Sequence, residues 1–206
     1  MVNVPVERWT PERRRELTRT ALVDAAAEVF ARRGFHGASL DEIAETAGFT
    51  RGAIYKNFGS KDELFYAVGE RQNELTLQAF DAQFSGGRDA MFDVPKLAAM
   101  WQQSVWGGDV DFLALELEFQ LYAIRNPEVR ERWVTQRRKN LAMIARFIED
   151  HAEAAGVSLK VPADTLASIL LNASDGMRMA VQIDPAEGNL YEKFLEMLLP
   201  AIFAEE

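Results

Sequence analysis

Residues 39–65 read Ser39-Leu-Asp-Glu-Ile-Ala-Glu-Thr-Ala-Gly-Phe-Thr-Arg-Gly-Ala-Ile-Tyr-Lys-Asn-Phe-Gly-Ser-Lys-Asp-Glu-Leu-Phe65. The stretch divides into two short helices joined by a tight turn and the start of a third. Ser39 is suited to cap a helix, and Glu42 follows three positions later, a capping box. Leu40, Ile43, Ala44 and Ala47 then give one narrow apolar stripe at helical spacing. Gly48 falls where a left-handed C-cap is needed, and Thr50 is placed to cap the next helix. Ile54 and Phe58, one turn apart, anchor that helix inward, and Gly59 ends it. Ser60 and Glu63 form a second capping box before Leu64, Phe65 and Val68 open a longer amphipathic helix. Helix, short glycine-containing turn, short helix is the helix-turn-helix pattern.

With Ile54 and Phe58 turned inward, about 100° per residue puts Gly52 and Lys56 opposite, flanked by Ala53 and Tyr55, with Thr50 and Arg51 at the N-terminus. A recognition helix presents its N-terminal residues to base edges in the major groove. Gly52 and Ala53 keep that surface low enough for close approach. Arg51 is suited to guanine and Lys56 to a base edge or phosphate. Tyr55 and Lys61 suit phosphate, and helix starts at Ser39 and Ser60 offer backbone N–H groups to anions. Taken singly, Arg51 or Lys56 reads equally well as an ordinary solvated charge. The capped, correctly spaced unit is what points to DNA.

Residues from about Leu22 to Val68 resemble the DNA-binding domain of the TetR family of bacterial transcriptional regulators. The matching pieces are Ala25-Ala-Ala-Glu-Val-Phe-Ala-Arg-Arg-Gly-Phe-His-Gly37, Ser39-Leu-Asp-Glu-Ile-Ala44, Ala47-Gly-Phe-Thr50, Ile54-Tyr55, Phe58-Gly-Ser-Lys61 and Glu63-Leu-Phe65. The resemblance implies phosphate contacts from Tyr55 and Lys61. Asn57 departs from the His or Tyr common at its position. The candidate DNA-binding set is Ser39, Thr50, Arg51, Gly52, Ala53, Tyr55, Lys56, Asn57 and Lys61.

The chain has 206 residues, 48% of them hydrophobic and 27% charged, ordinary values for a folded soluble protein. It has no apolar run long enough to span a membrane and no apolar core near Met1 to suggest a secretory signal. Cysteine is absent, which excludes disulfides and thiolate metal sites and fits a reducing cytoplasm. A net charge of −9 looks wrong for DNA binding. Residues 1–61, however, carry 10 Lys/Arg against 8 Asp/Glu, and the remainder 13 against 24. Affinity follows the field within about 10 Å, so the acidic remainder is expected to face away from DNA.

The expected fold is all-α: a basic arm and helix start over 1–19, a three-helix DNA-binding domain over 20–66, and a larger helical ligand-binding and dimerisation domain over 67–206. Arg13, Arg14, Arg15 and Arg19 read as a solvated first turn, with phosphate or the minor groove as the functional alternative. Leu22, Ala25, Ala26, Val29 and Phe30 mark the first helix, ended by Gly34 and Gly37, with His36 in a capping position. Ser85-Gly-Gly87 is a loop. Helices follow at about 93–106, 110–125, 127–155, 163–182 and 187–204. The basic run Arg130, Arg132, Arg137, Arg138 and Lys139, interleaved with Glu128 and Glu131, reads as a solvated face.

Residues 111–125 are apolar nearly all round, so that helix should be buried on most sides; Glu116 and Gln120 share a face, either a solvent stripe or a polar patch in a cavity. In 163–182, Leu166, Ile169, Leu170, Ala173, Met177, Ala180 and Val181 make one apolar face, and Asn172, Asp175, Met179 and Gln182 another stripe. The last segment is also two-faced, so the last two helices are expected to form a homodimer seam. A dimer would let two recognition helices read a palindromic operator. The resemblance implies a small-molecule effector in the C-terminal domain. Candidate ligand contacts are Trp101, Trp106, Phe112, Glu116, Phe119, Met143, Phe147, Asn172, Asp175 and Met177, with plain core packing the competing reading for the aromatic and Met positions.

An enzyme is the rival class, but His36 and His151 stand apart, and there is no phosphate-cradling glycine loop, nucleophile elbow, metal-ligand motif or cofactor motif. No catalytic residue, metal or cofactor is therefore assigned. A helix-turn-helix serving as a protein-interaction module is a third reading, separated from DNA binding by its salt dependence. The expected activity is repression relieved by a lipophilic or aromatic effector, with ligand-responsive activation as the alternative.

Overall fold

The computed structural model describes residues 10–85, 87–104 and 110–203, excluding the side chains of 88, 91, 103, 104 and 110–112. Most of the expected N-terminal arm and Trp106 lie outside the described residues, as does the side chain of Phe112. The chain divides into two compact units, Met1–Gly69 and Glu70–Glu206. No strand occurs among the described residues; Leu159 and Phe203 make an isolated antiparallel bridge. Among those residues no helix is long and apolar enough to cross a membrane.

The first unit holds α1 (Pro11–Gly37), α2 (Leu40–Thr46), α3 (Arg51–Phe58) and the start of α4 (Lys61–Phe84). The Thr10 hydroxyl accepts from the Arg13 amide at 3.2 Å, with Pro11 following, so α1 begins well before its apolar stripe. Helical geometry breaks at Gly34, where the stop was expected. Leu22, Ala26, Val29 and Phe30 are fully buried, with Ile43, Ile54 and Leu64 brought in from α2, α3 and α4. The Phe30, Phe35 and Phe65 rings stand 5.4–5.8 Å apart in tilted and edge-on pairs. Each such pair adds about 0.5–1.5 kcal/mol beyond area burial. On the surface, Glu42 accepts from Arg32 at 2.8 Å and Arg33 at 3.4 Å. The Arg32 bond is the main reason that its carboxyl lies below the usual range.

The serine caps form as expected, but of the Ser39–Glu42 capping box only the serine half does, because the Glu42 carboxylate is taken by Arg32 and Arg33. The Ser39 hydroxyl accepts from the Glu42 amide at 3.0 Å and Ser60 from Glu63 at 3.1 Å. Gly48 and Gly59 end α2 and α3 at φ of 72° and 82°, a region costly for residues with a Cβ. Thr50 occupies the N-cap of α3 but makes no side-chain capping bond, a correction to the sequence reading.

The second unit continues with α5 (Arg88–Met91), α6 (Val94–Ser104), α7 (Val110–Arg125), α8 (Pro127–Ala154), α9 (Ala163–Ile183) and α10 (Leu190–Ile202). A 3-10 turn at Pro185–Glu187 precedes α10, with the Asp184 carboxylate accepting from the Ala186 amide at 3.0 Å. At four residues, α5 is too short to show a period, so its sequence gives no sign of it. Helix α8 packs on α9, α6 on α10 and α7 on α8. Two expectations change. Helix α7 buries Leu113, Leu115, Phe119 and Ala123 but exposes Leu117, Leu121 and Ile124, so in the single chain it is covered on one side only. On α9, Ile169 points to solvent instead of joining Leu166 and Met177.

Gly59→Ala should lower the stability of the first unit by about 1–2 kcal/mol in urea denaturation, the cost of forcing a Cβ into a left-handed conformation. An unchanged midpoint would show that the α3 terminus relaxes freely.

Candidate nucleic-acid interface and ligand cavity

Ile54 is the fully buried residue of α3, and Phe58 is half-buried. Thr50, Arg51, Gly52, Tyr55 and Lys56 are consequently exposed on one helix, with Ala53 and Asn57 half-buried. Tyr55 leaves 46% of its surface open, unusual for a ring that could have packed inward. Among the described residues Lys56 makes no hydrogen bond or ion pair, and its ammonium stands available. Ser39 is exposed at the start of α2, its hydroxyl occupied by the cap.

Three side chains are engaged where the sequence reading had them open. Arg51 Nη1 donates to Asp41 Oδ2 at 3.1 Å and Nη2 to the Tyr55 hydroxyl at 2.9 Å. Lys61 Nζ donates to the Ala38 carbonyl at 2.5 Å and lies 4.9 Å from the Phe35 ring centroid. That ammonium ties the end of α1 to α4, so a structural role stands beside the phosphate contact which the resemblance implied. Asn57 Nδ2 donates to the Ala53 carbonyl at 2.8 Å, within its own helix. Arg19, one of the expected solvated arginines, lies 4.5 Å over the Phe58 ring and donates to the Asn57 carbonyl at 3.4 Å. It covers the C-terminal end of α3 with a cation–π contact, and its hydrogen bond to Asn57 bridges 38 residues of sequence.

The second unit holds a partly open cavity of about 220 Å³ between α4, α6, α8, α9 and α10. Phe80, Phe84, Trp101, Met143, Phe147 and Leu170 are among its lining, and the polar groups at its wall are Asn73, Thr76, His151 and Ser174. Trp101 Nε1 donates to Ser174 Oγ at 3.0 Å, which fixes the indole. The His151 ring lies 4.0 Å from Phe147; Nδ1 is 2.8 Å from the Phe147 carbonyl and Nε2 3.3 Å from Asp81. Of the candidate ligand contacts, Trp101, Met143 and Phe147 line this cavity. Phe119 does not: it is fully buried against Tyr122 and Trp133. Met177 packs in the core with Leu97, Ala98, Tyr191 and Leu195. His151 was missed, although Met143, Phe147 and His151 recur every four residues on one face of α8.

Glu116, Asn172 and Asp175 lie in a separate polar cluster. Arg178, only 6% exposed, donates through Nη2 to Glu116 and lies 3.5 Å from Asp175. Arg137 donates to Asn172 at 2.9 Å and reaches Asp175 at 4.0 Å, so it leaves the solvated run assigned from sequence. Glu116 is thus neither a solvent stripe nor a cavity patch but half of an ion pair joining α7 to α9. Arg178 Nε and Nη1 are buried without a hydrogen-bond partner. Burial, followed by the charge of Glu116, pushes the Asp175 carboxyl up to about 6.

Residues 22–68 match the sequence profile of the bacterial regulatory proteins of the tetR family. Across most of its length the chain is 28% identical to the HTH-type transcriptional repressor AcnR of Corynebacterium diphtheriae, over 160 residues covering 78% of each protein. The HTH-type transcriptional regulator SrpR of Pseudomonas putida is 49% identical over 63 residues, 30% of each chain. A putative TetR-family regulator from Rhodococcus has the same fold, with a TM-score of 0.65 and 18% identity over 92% of this chain and all of that one. Residues 22–68 are a DNA-binding domain of the TetR family. The chain is a DNA-binding transcriptional regulator. Within this TetR-family fold the helix-turn-helix occupies the first unit, and the cavity and ion cluster the second.

Asp175 gives the second unit a pH dependence with a definite sign. Its folded value of about 6 exceeds the ordinary 3.8, so between the two the folded chain holds a proton that the unfolded chain has released. This carboxyl therefore lowers stability as pH rises through that window. Melting temperatures of the native protein should gain on those of Asp175→Asn as pH falls from about 7.5 to about 5. Parallel curves would mean that Asp175 titrates normally.

Proposed function

We propose that the chain is a homodimeric repressor whose two α3 helices read a palindromic operator and which a compact lipophilic effector releases. The observation that carries the reading is the exposed N-terminal half of α3, with Arg51, Gly52, Tyr55 and Lys56 outward while Ile54 is fully buried. Arg51 and Lys56 supply base or phosphate contacts, Thr50 and Tyr55 phosphate contacts, and Gly52 and Ala53 close approach. Asn57 and Lys61 act behind that surface, holding α3 and the α1–α4 junction.

Exposed apolar residues on the last two helices support the dimer. Ile169, Met179 and Ile183 lie outward on α9, with Ile183 78% exposed, and Met197 is 68% exposed on α10. Ile169, Gly176 and Ile183 recur every seven residues, the spacing of a helix-packing seam. The nearly all-apolar cavity supports a lipophilic effector. Its 220 Å³ falls below the ~300–1,000 Å³ typical of drug-sized ligands, favouring a compact molecule. The absence of cysteine fits work in the reducing cytoplasm.

A gel shift with DNA from upstream of the protein's own gene, titrated with small apolar molecules, tests the reading. The native protein should shift that DNA, and one class of apolar molecule should release it. Lys56→Ala and Tyr55→Ala should each weaken binding, Lys56→Ala with a salt slope smaller by about 1 if its partner is phosphate. Binding by both variants at native strength would remove α3 from the interface. Ile183→Glu, which puts a charge into the proposed seam, should give monomers in analytical ultracentrifugation; an unchanged mass would place the seam elsewhere.

A further inference from the structure

Asp41 is an acidic residue on the face that should meet a polyanion. It lies in the first turn of α2, where Oδ2 accepts from Arg51 Nη1 at 3.1 Å. The other terminal nitrogen of Arg51 donates to the Tyr55 hydroxyl at 2.9 Å, and the guanidinium carbon is 5.4 Å from the Tyr55 ring centroid. Three contacts thus fix a long side chain at the N-terminus of the recognition helix. The ion pair is open to solvent, with the Arg51 and Asp41 side chains 51% and 70% exposed. Such pairs add little to folding stability, so the fold itself does not require it.

We propose that Asp41 is a positioning and specificity-determining residue of the DNA interface. It holds Arg51 in one pose and penalises DNA on which that pose cannot be kept. The inference rests on α3 being the recognition helix.

A guanidinium carries five N–H donors in a rigid plane, and Asp41 and Tyr55 use one on each terminal nitrogen. The remaining donors are free to meet a guanine edge without rotamers having to be searched. On an arbitrary duplex the best partner for an arginine is a phosphate, and strong attraction there comes from counterion release. Paired with Asp41, Arg51 contributes almost no net charge to that attraction. To reach a phosphate it must leave Asp41, and the carboxylate is then stranded in the negative field of the DNA. At a matching base pair Arg51 keeps its pose, and Asp41 stays neutralised.

Asp41→Asn keeps the shape and an acceptor but removes the charge; Asp41→Ala removes both. Binding is measured by fluorescence anisotropy over a range of salt, against poly(dI-dC) and against the duplex that the native protein enriches from a random pool. Asp41→Asn should bind poly(dI-dC) about five-fold tighter, the effect of one like charge lost near a surface. The logarithmic salt slope should steepen by about 1. The enriched duplex should bind no tighter, so the ratio of specific to non-specific affinity falls about five-fold. Asp41→Ala should also weaken the enriched duplex. An unchanged ratio in Asp41→Asn overturns the inference and leaves the recognition-helix reading standing. Equal weakening on both DNAs, with a lowered melting temperature, also overturns it and assigns Asp41 to the stability of α2. If the native protein enriches no duplex at all, the recognition-helix reading fails and takes the inference with it.

Discussion

The burial of Ile54 is the constraint on which the proposed interface depends. A helix of eight residues is not stable by itself in water, since isolated helices need roughly 12–15 residues even with favourable sequences. Helix α3 exists because one side chain is fully buried, alongside the fully buried Ile43 of α2 and Leu64 of α4. That burial is worth about 1.5–3 kcal/mol. It also sets the rotation of the helix, and the rotation decides that Arg51, Gly52, Tyr55 and Lys56 face outward. Arg19 over Phe58 and the left-handed Gly59 then fix where α3 ends.

Two ion-pair systems in this chain work under opposite conditions. Arg51 and Asp41 are exposed, so their pair is cheap to form and to break. That suits the role proposed for Arg51 and Asp41 at the DNA interface. Glu116, Arg178 and Asp175 are largely buried, and removing one partner from such a group costs about 3–5 kcal/mol because the other is left uncompensated. The raised Asp175 carboxyl and the two unpartnered Arg178 nitrogens show incomplete compensation. A whole-chain charge of −9 describes neither situation. Local pairing governs both.

What the sequence disclosed was governed by range. Caps at Ser39 and Ser60 and the stops at Gly48 and Gly59 depend on atoms within a few residues, and all four appear where their spacing put them. The 3.6-residue period located the longer helices of the second unit within a few residues. A period reports which residues share a face but not what that face meets. Phe119 and Phe147 look alike in sequence, yet one is core and the other lines the cavity. Arg178 and Glu116 are 62 residues apart, and Trp101 and Ser174 73 apart, so no local signal announces either contact. The exposed Leu117, Leu121 and Ile124 likewise read as buried, because apolarity alone does not distinguish the core of one chain from a surface.

Sequencing the DNA that the purified protein enriches from a random duplex pool tests the central claim most directly. Two copies of α3 related by a twofold axis predict an inverted repeat whose half-sites are centred about one helical turn, or a multiple of it, apart. Enrichment of no sequence, or of a single site without twofold symmetry, would contradict the account.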